Sequence, residues 1–238
     1  MPNIYITSTE HYAGKTFISA GIAATMQSLG YATSYYKPIQ TSCIEKNGFK
    51  QSPDIAYMKT IDPYINTYYT YLFKEDSEPL ISAEIENEPI DVDLIARDYK
   101  KINSNSDCTV IDGNGGLLNP LAPNIQTIDL IKQISVPVLI VVKPNNDSVN
   151  SALMTIQAAQ EKNVPVRGVI INAISEACSK NLLTSIPRII EEYTNVKILG
   201  LIPKLNQKIL PEDIIQSILN GIDIESVFDV KIEKLDIN

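Results

Sequence analysis

The sequence is poor in the residues that build covalent or metal-bound frameworks. Its three cysteines, Cys43, Cys108 and Cys178, lie far apart, without metal-ligand spacing or the even number a disulfide set needs, which points to reduced thiols. Histidine occurs once, at His11. With no second histidine and no evident partner, we read it as an exposed loop residue rather than a base. Long apolar runs are missing as well. The most apolar segment, 136–142, spans seven residues and includes Pro137, against the ~20 residues needed to cross a bilayer. The first residues carry no basic region followed by an apolar stretch, so no signal peptide is expected. Basic charge is scarce: 20 Lys and Arg stand against 28 Asp and Glu, for a formal net charge of −8. That disfavours nucleic acid as a main partner. It leaves room for nucleotides, whose phosphates are held by backbone N–H groups and one or two lysines. Repeats, low-complexity tracts and obvious linkers are absent. We expect a soluble, cytoplasmic protein.

What is present is enough for one sizeable α/β domain: 238 residues, 44% of them hydrophobic. Short β-branched runs at 4–7, 32–36, 108–112, 136–142, 166–172 and 197–202 alternate with helix-period segments at 15–29, 125–134, 148–162, 180–193 and 211–220. This alternation predicts a mostly parallel sheet with helices on both faces. The interval between Tyr36 and Cys108 is too long for a simple crossover. It carries a polar loop at 41–52, a tyrosine-rich strand at 66–73 and helical stretches of its own. We expect 1–238 to be a single nucleotide-binding domain, with 38–106 a substrate-side insertion.

The most informative stretch follows the first strand. Ser8 to Thr16 reads Ser-Thr-Glu-His-Tyr-Ala-Gly-Lys-Thr, and a helix is predicted to begin near Lys15. A phosphate loop needs this context, because backbone N–H groups at a helix N-terminus converge on phosphate oxygens. Lys15 then reaches the β/γ oxygens and the Thr16 hydroxyl ligates Mg²⁺. The usual first glycine is replaced by Ser8, six residues before Gly14. The fold expected is therefore of the P-loop NTPase type.

Carboxylates suited to Mg²⁺ follow. Asp112 ends a strand and precedes Gly113-Asn114-Gly115-Gly116, a Walker-B-like arrangement that permits close backbone approach to phosphate. Asp54, after Ser52-Pro53, opens a predicted helix and could equally be a helix cap. Lys37, just past the second predicted strand, stands where it faces a ligand crevice and could stabilise a phosphoryl group in transfer; the alternative is a surface lysine.

Taken together, these segments resemble the dethiobiotin synthetase family over most of the chain. The specific matches are Lys37-Pro38 with Thr41, Ser52-Pro53-Asp54, and Pro79-Leu80-Ile81-Ser82-Ala83-Glu84. Asp112 to Gly116, Val149-Asn150, Ile171-Asn172 and Ile202-Pro203 continue the order. The resemblance implies an ATP- and Mg²⁺-dependent ligase. In that reaction 7,8-diaminononanoate takes up CO₂ as a carbamate, ATP phosphorylates it, and the second amine closes a ureido ring.

The resemblance also implies a set of roles. Lys15 and Lys37 would be catalytic, and Thr16, Asp54 and Asp112 would hold Mg²⁺. The nucleotide would contact Tyr12, Ala13, Gly14, Lys15, Thr16 and Phe17, then Asp54, Asp112, Gly113, Asn114 and Gly115. Asn172 would read the base, with Pro203 and Leu205 lining its pocket. Thr41 and Asn150 would contact substrate, Asn150 across a homodimer interface.

Six positions depart from the family pattern: Ser8, Ser42 and Asp147 stand where it prefers glycine, Tyr12 and Asp112 where it prefers glutamate, and Asn114 where it prefers alanine. Glu10 and Asp147 are the nearest carboxylates by sequence to replace the charge missing at Tyr12. Two alternatives accompany this reading, a catalytically weakened paralogue and a partner-switching ATPase. The latter kind carries a lysine early in the loop, where this chain has Glu10.

Overall fold

The computed structural model describes residues 3–175, 178–205 and 209–232. Strand β1 (Asn3–Ser8) runs through the phosphate loop into α1 (Lys15–Ser28). Then come β2 (Thr33–Gln40), β3 (Ile44–Lys46), β4 (Phe49–Gln51), α2 (Pro53–Ile61), β5 (Asn66–Leu72), α3 (Pro79–Ile85) and α4 (Val92–Ser104). The middle of the chain holds β6 (Cys108–Asp112), β7 (Pro120–Ala122), β8 (Ile125–Gln126), α5 (Thr127–Ile134), β9 (Val138–Val142) and α6 (Ser148–Glu161). It closes with β10 (Val166–Ile174), α7 (Lys180–Thr194), β11 (Ile198–Pro203), α8 (Pro211–Gly221) and α9 (Ile224–Phe228).

Seven strands form one sheet in the order β11-β10-β9-β1-β6-β2-β5, and every pairing in it is parallel. Strands buried on both faces read as unbroken apolar runs; β9, Val-Leu-Ile-Val-Val, is buried at every position. Alternate residues feed two separate cores. Val138, Ile140 and Val142 join Ile95, Ile131, Ile156 and Ile190 on one face. Leu139 and Val141 join Ile18, Ile22, Met58 and Ile218 on the other. Helices therefore cover both faces, as expected. Among the described residues no helix is long and apolar enough to cross a membrane.

Three segments differ from the sequence expectation. Strand β2 does not stop at Tyr36 but continues to Gln40, paired with β5 up to Gln40↔Leu72. Its pairing with β6 ends at Tyr36↔Ile111, so Pro38, which has no N–H to offer, falls where only one neighbour remains. The stretch read as a polar loop contains the antiparallel β3–β4 hairpin. Asn47 and Gly48 make its turn with φ of 53° and 79°, the left-handed pair such turns require. Ile125 and Gln126 pair as β8, and α5 begins one step later, where the Asp129 carboxylate accepts the Gln126 N–H at 2.9 Å.

Candidate active site

The phosphate loop is shaped from below by Asn172. This residue is almost wholly buried on β10, and its Nδ2 donates to Ala13 O at 2.8 Å. Gly14 follows with φ +90°, and a Cβ there would stand 2.1 Å from the same Nδ2, so only glycine fits. Tyr12 has φ 59° and is 90% exposed, which turns its phenol to solvent. Helix α1 then starts with no side-chain cap and no acidic residue in its first turn. By contrast α2, α4 and α7 are capped by Ser52, Asp91 and Ser179. A first turn with no side chain on its N–H groups is suited to an anion, although α3 and α6 also begin without a side-chain cap. Lys15 folds back over the loop and donates to Ser8 Oγ at 3.2 Å. Burial, then the charge of Lys37, holds its pKa below that of an ordinary lysine.

Behind the loop, Asp112 collects three donors from two elements, α1 and β2. Its Oδ2 accepts from Thr16 Oγ1 at 3.2 Å, from the Tyr35 hydroxyl at 2.7 Å and from Lys37 Nζ at 3.1 Å. Tyr35 and Lys37 are two apart on β2, so the period of a strand sends both side chains to the same face. Lys37 Nζ also lies 2.6 Å from Asp54 Oδ2 and donates to Gly113 O at 3.0 Å. The capping of α2 is done by Ser52, whose Oγ accepts the Ile55 N–H at 3.1 Å. Asp54 is thereby free to turn its carboxylate to Lys37.

The titration of these groups follows from their mutual burial. Burial works against the charged form of Lys37, but Asp112 and Asp54 together hold its pKa above the ordinary lysine value. Burial works against the Asp112 carboxylate, yet Lys37, Tyr35 and Lys15 hold it below the ordinary aspartate value. Burial and the Asp112 charge push the Tyr35 phenol well up, so it remains a donor.

One atom of this cluster is left over: Asp112 Oδ1 is buried with no hydrogen-bond partner among the described residues. Such an orphan costs about 1–3 kcal/mol unless something fills it. Mg²⁺ favours hard oxygen donors, usually one or two carboxylates completed by phosphates and water. Asp112, Asp54 and the Thr16 hydroxyl fit that ion. No group of three or more His, Cys, Asp or Glu poised for a metal exists among the described residues.

On the other side of Gly113 the chain stays close to β1. A Cβ at Gly113 would lie 2.7 Å from Ile6 O, and Gly115, with φ 84°, accepts the Thr7 hydroxyl at 3.1 Å. Asn114 Nδ2 reaches Thr41 Oγ1 at 3.5 Å. Glu10 is turned aside, its carboxylate accepting Asn145 Nδ2 at 2.8 Å, and Asp147 is exposed at the start of α6. Phe17 is half-buried against the α1-side core. Asn150 lies exposed on α6 with its Nδ2 on Met154 Sδ at 3.4 Å. Pro203 is exposed at the end of β11, and Leu205 just beyond it is half-buried. These last four have no hydrogen bond to the cluster.

His11 does have a partner, which local sequence does not reveal. Its Nε2 lies 3.2 Å from Glu78 Oε1, 67 positions away, and the other Glu78 oxygen takes the Asn119 amide. Tyr35 is the other group missed; its place two before Lys37 on a strand was the available signal.

The model of the AAA domain family matches residues 2–210. The ATP-dependent dethiobiotin synthetase BioD of Brachyspira hyodysenteriae is 32% identical over 206 residues, 84% of this chain and 90% of that protein. The enzyme of the same name from Bacillus licheniformis is 28% identical over 232 residues, 96% of this chain and 97% of its own length. Among solved structures, the septum site-determining protein MinD of Pyrococcus horikoshii, complexed with Mg-ADP, superimposes with a TM-score of 0.58. It is 15% identical, over 99% of this chain and 96% of that one. A ParA family ATPase from Chlorobium tepidum gives 0.57 at 13% identity, over 97% and 94%. At such identities the two ATPases speak for the fold alone.

Proposed function

The chain belongs to the AAA domain family and to the ATP-dependent dethiobiotin synthetases, and from there we propose how its residues close a ureido ring. It is an ATP-dependent ligase of biotin biosynthesis, working with ATP and Mg²⁺. In the reaction we propose, one amine of 7,8-diaminononanoate takes up CO₂ as a carbamate. The carbamate oxygen receives the γ-phosphoryl group of ATP, giving a carbamic–phosphoric anhydride. The second amine displaces phosphate to complete the ring.

The observation that carries this reading is Lys37 buried between Asp54 and Asp112, with Thr16 on the same Asp112 oxygen. A fixed ammonium in a water-poor site stabilises charge developing on a phosphoryl group far better than one in solvent. Lys15 serves the β/γ oxygens from the loop. Thr16, Asp54 and Asp112 would hold Mg²⁺, which supplies charge neutralisation at the phosphates. In the same proposal Gly14 and its neighbours bind phosphate through N–H groups, and Asn172, Pro203 and Leu205 serve the base. Thr41, beside Asn114, orients the substrate. Segment 38–106 forms the substrate side of the domain, and a cytoplasmic homodimer brings Asn150 toward the partner subunit's substrate.

The likeness to MinD and ParA proteins does not favour a partner-switching role, because Glu10, where such proteins carry a lysine, is held by Asn145. The test is direct: supply 7,8-diaminononanoate, bicarbonate, ATP and Mg²⁺, and look for dethiobiotin by mass. Folded protein that yields none at saturating substrates overturns the reading.

A further inference from the structure

We propose that His11, oriented by Glu78, accepts the proton that the second amine loses as it closes the ring. The inference rests on the ring-closing reading above. His11 is the chain's single histidine and lies in the phosphate loop, four residues before Lys15. Glu78, at the N-terminal end of α3, meets His11 with one carboxylate oxygen and accepts the Asn119 amide with the other. Asn119 belongs to the loop that follows Gly113–Gly116. The carboxylate therefore bridges the two loops bordering the Lys15–Asp112 cluster, and its charge is felt at Lys15.

The pairing selects a tautomer. A carboxylate offers acceptors only, so Nε2 carries the hydrogen in the bond to Glu78 and the lone pair stays on Nδ1. A base whose second nitrogen is fixed by a carboxylate is the arrangement general-base catalysis uses. The imidazole is 73% exposed, so a substrate can reach it. Other candidates nearby are engaged. Asp54 and Asp112 are bound to Lys37, and Lys15 and Lys37 are themselves cations. The charged or titratable groups around His11 are Glu78 from α3 and, on its own loop, Glu10 turned to Asn145, Lys15 turned to Ser8, and Tyr12, whose ring centroid is 6.3 Å away. Asn119 adds no charge.

The step balances without any redox partner. The free amine nitrogen attacks the anhydride carbonyl carbon. The C–N bond forms, the C–O bond to the phosphoryl group breaks, and phosphate leaves with the electron pair. The surplus proton on nitrogen passes to His11 Nδ1.

The experiment is a single-turnover measurement of dethiobiotin formation from about pH 5 to 8, the range in which histidine ordinarily titrates. It compares the wild type with H11N and E78Q, and calorimetry with ATP and Mg²⁺ shows that each variant still binds nucleotide. The wild-type rate should fall as pH drops, because a protonated imidazole cannot accept a proton. H11N should lose that acid limb and be slower by about 10²-fold at neutral pH. E78Q should be slower by a smaller factor, and the ¹⁵N spectrum of its one histidine should shift from the Nε2–H tautomer toward a mixture. Added imidazole should restore rate to H11A. An H11N rate within about twofold of wild type, with its acid limb intact, overturns the role of His11. A wild-type protein that makes no dethiobiotin at all overturns the function itself and this inference with it.

Discussion

Lys37 donates to Asp112 across 3.1 Å with its side chain 3% exposed and that of Asp112 fully enclosed. Removing Lys37 leaves the enclosed Asp112 charge without this cation, whereas removing Asp112 leaves Lys37 paired with Asp54 at 2.6 Å. Breaking such a pair costs about 3–5 kcal/mol, even where its formation contributes little net stability. Lys37→Ala should therefore lower the midpoint of urea unfolding as well as activity. Turnover should drop about 10²- to 10³-fold, while the ATP dissociation constant moves by only a small factor, since the role proposed is in the transition state. Equal losses in turnover and ATP binding would assign Lys37 to ground-state nucleotide binding.

The same pair sets a pH window. Asp112 is held below its ordinary value of 3.8, so its contribution is complete above that value and is lost as pH falls through the lower folded one. Lys37 is held above its ordinary 10.5, so its contribution is complete below that and is lost as pH rises past the folded value. Thermal unfolding followed against pH should show a plateau from this pair between the two ordinary values. Asp112→Asn should flatten the acid side of the profile; an unchanged acid slope would mean that other carboxylates set it.

Mg²⁺ and the Lys37 ammonium compete for the same two carboxylates. Asp54→Asn and Asp112→Asn should each raise the Mg²⁺ concentration needed for half-maximal activity about tenfold or more. Conversely, Lys37→Ala should strengthen Mg²⁺ binding measured by calorimetry without nucleotide. Mg²⁺ dependence unchanged in Asp54→Asn would remove Asp54 from the metal's ligands.

Gly14 is constrained twice, by its φ of +90° and by the Asn172 amide that a Cβ would strike. Gly14→Ala should weaken ATP binding by at least tenfold. The double variant with Asn172→Ala relieves the collision but leaves the backbone cost of about 1–2 kcal/mol, so it should recover affinity only in part. Full recovery would mean the collision alone excludes a side chain.

Much of this was legible from short-range pattern. Apolar runs such as Val138–Val142 announce buried parallel strands, and Gly14-Lys15-Thr16 between a strand and a helix announces the phosphate loop. Lys37 was legible as a candidate site residue but not in its place, because Pro38 reads as the end of a strand that β5 in fact prolongs. The Asn47-Gly48 turn carried a hairpin signal within a stretch dominated by polar residues. The tie between His11 and Glu78 had no local trace, since it exists only once α3 is docked beside the loop. The roles of Asn150, Pro203 and Leu205 rest on family likeness, and no hydrogen bond joins them to the cluster.

The strand order carries a consequence for synthesis. β1 lies between β6 and β9, so Asn3 and Ile4 find partners only in Thr109 and Val110, and Thr7 and Ser8 only in Ile140 and Val141. At about 5–20 residues per second, the first strand leaves the ribosome on the order of ten seconds before either neighbour does. Ile4 and Ile6, both fully enclosed in the finished sheet, spend that interval with nothing to pair with. Strand β1 therefore cannot take its place in the sheet until β6 and β9 are made, and the phosphate loop attached to it waits with it.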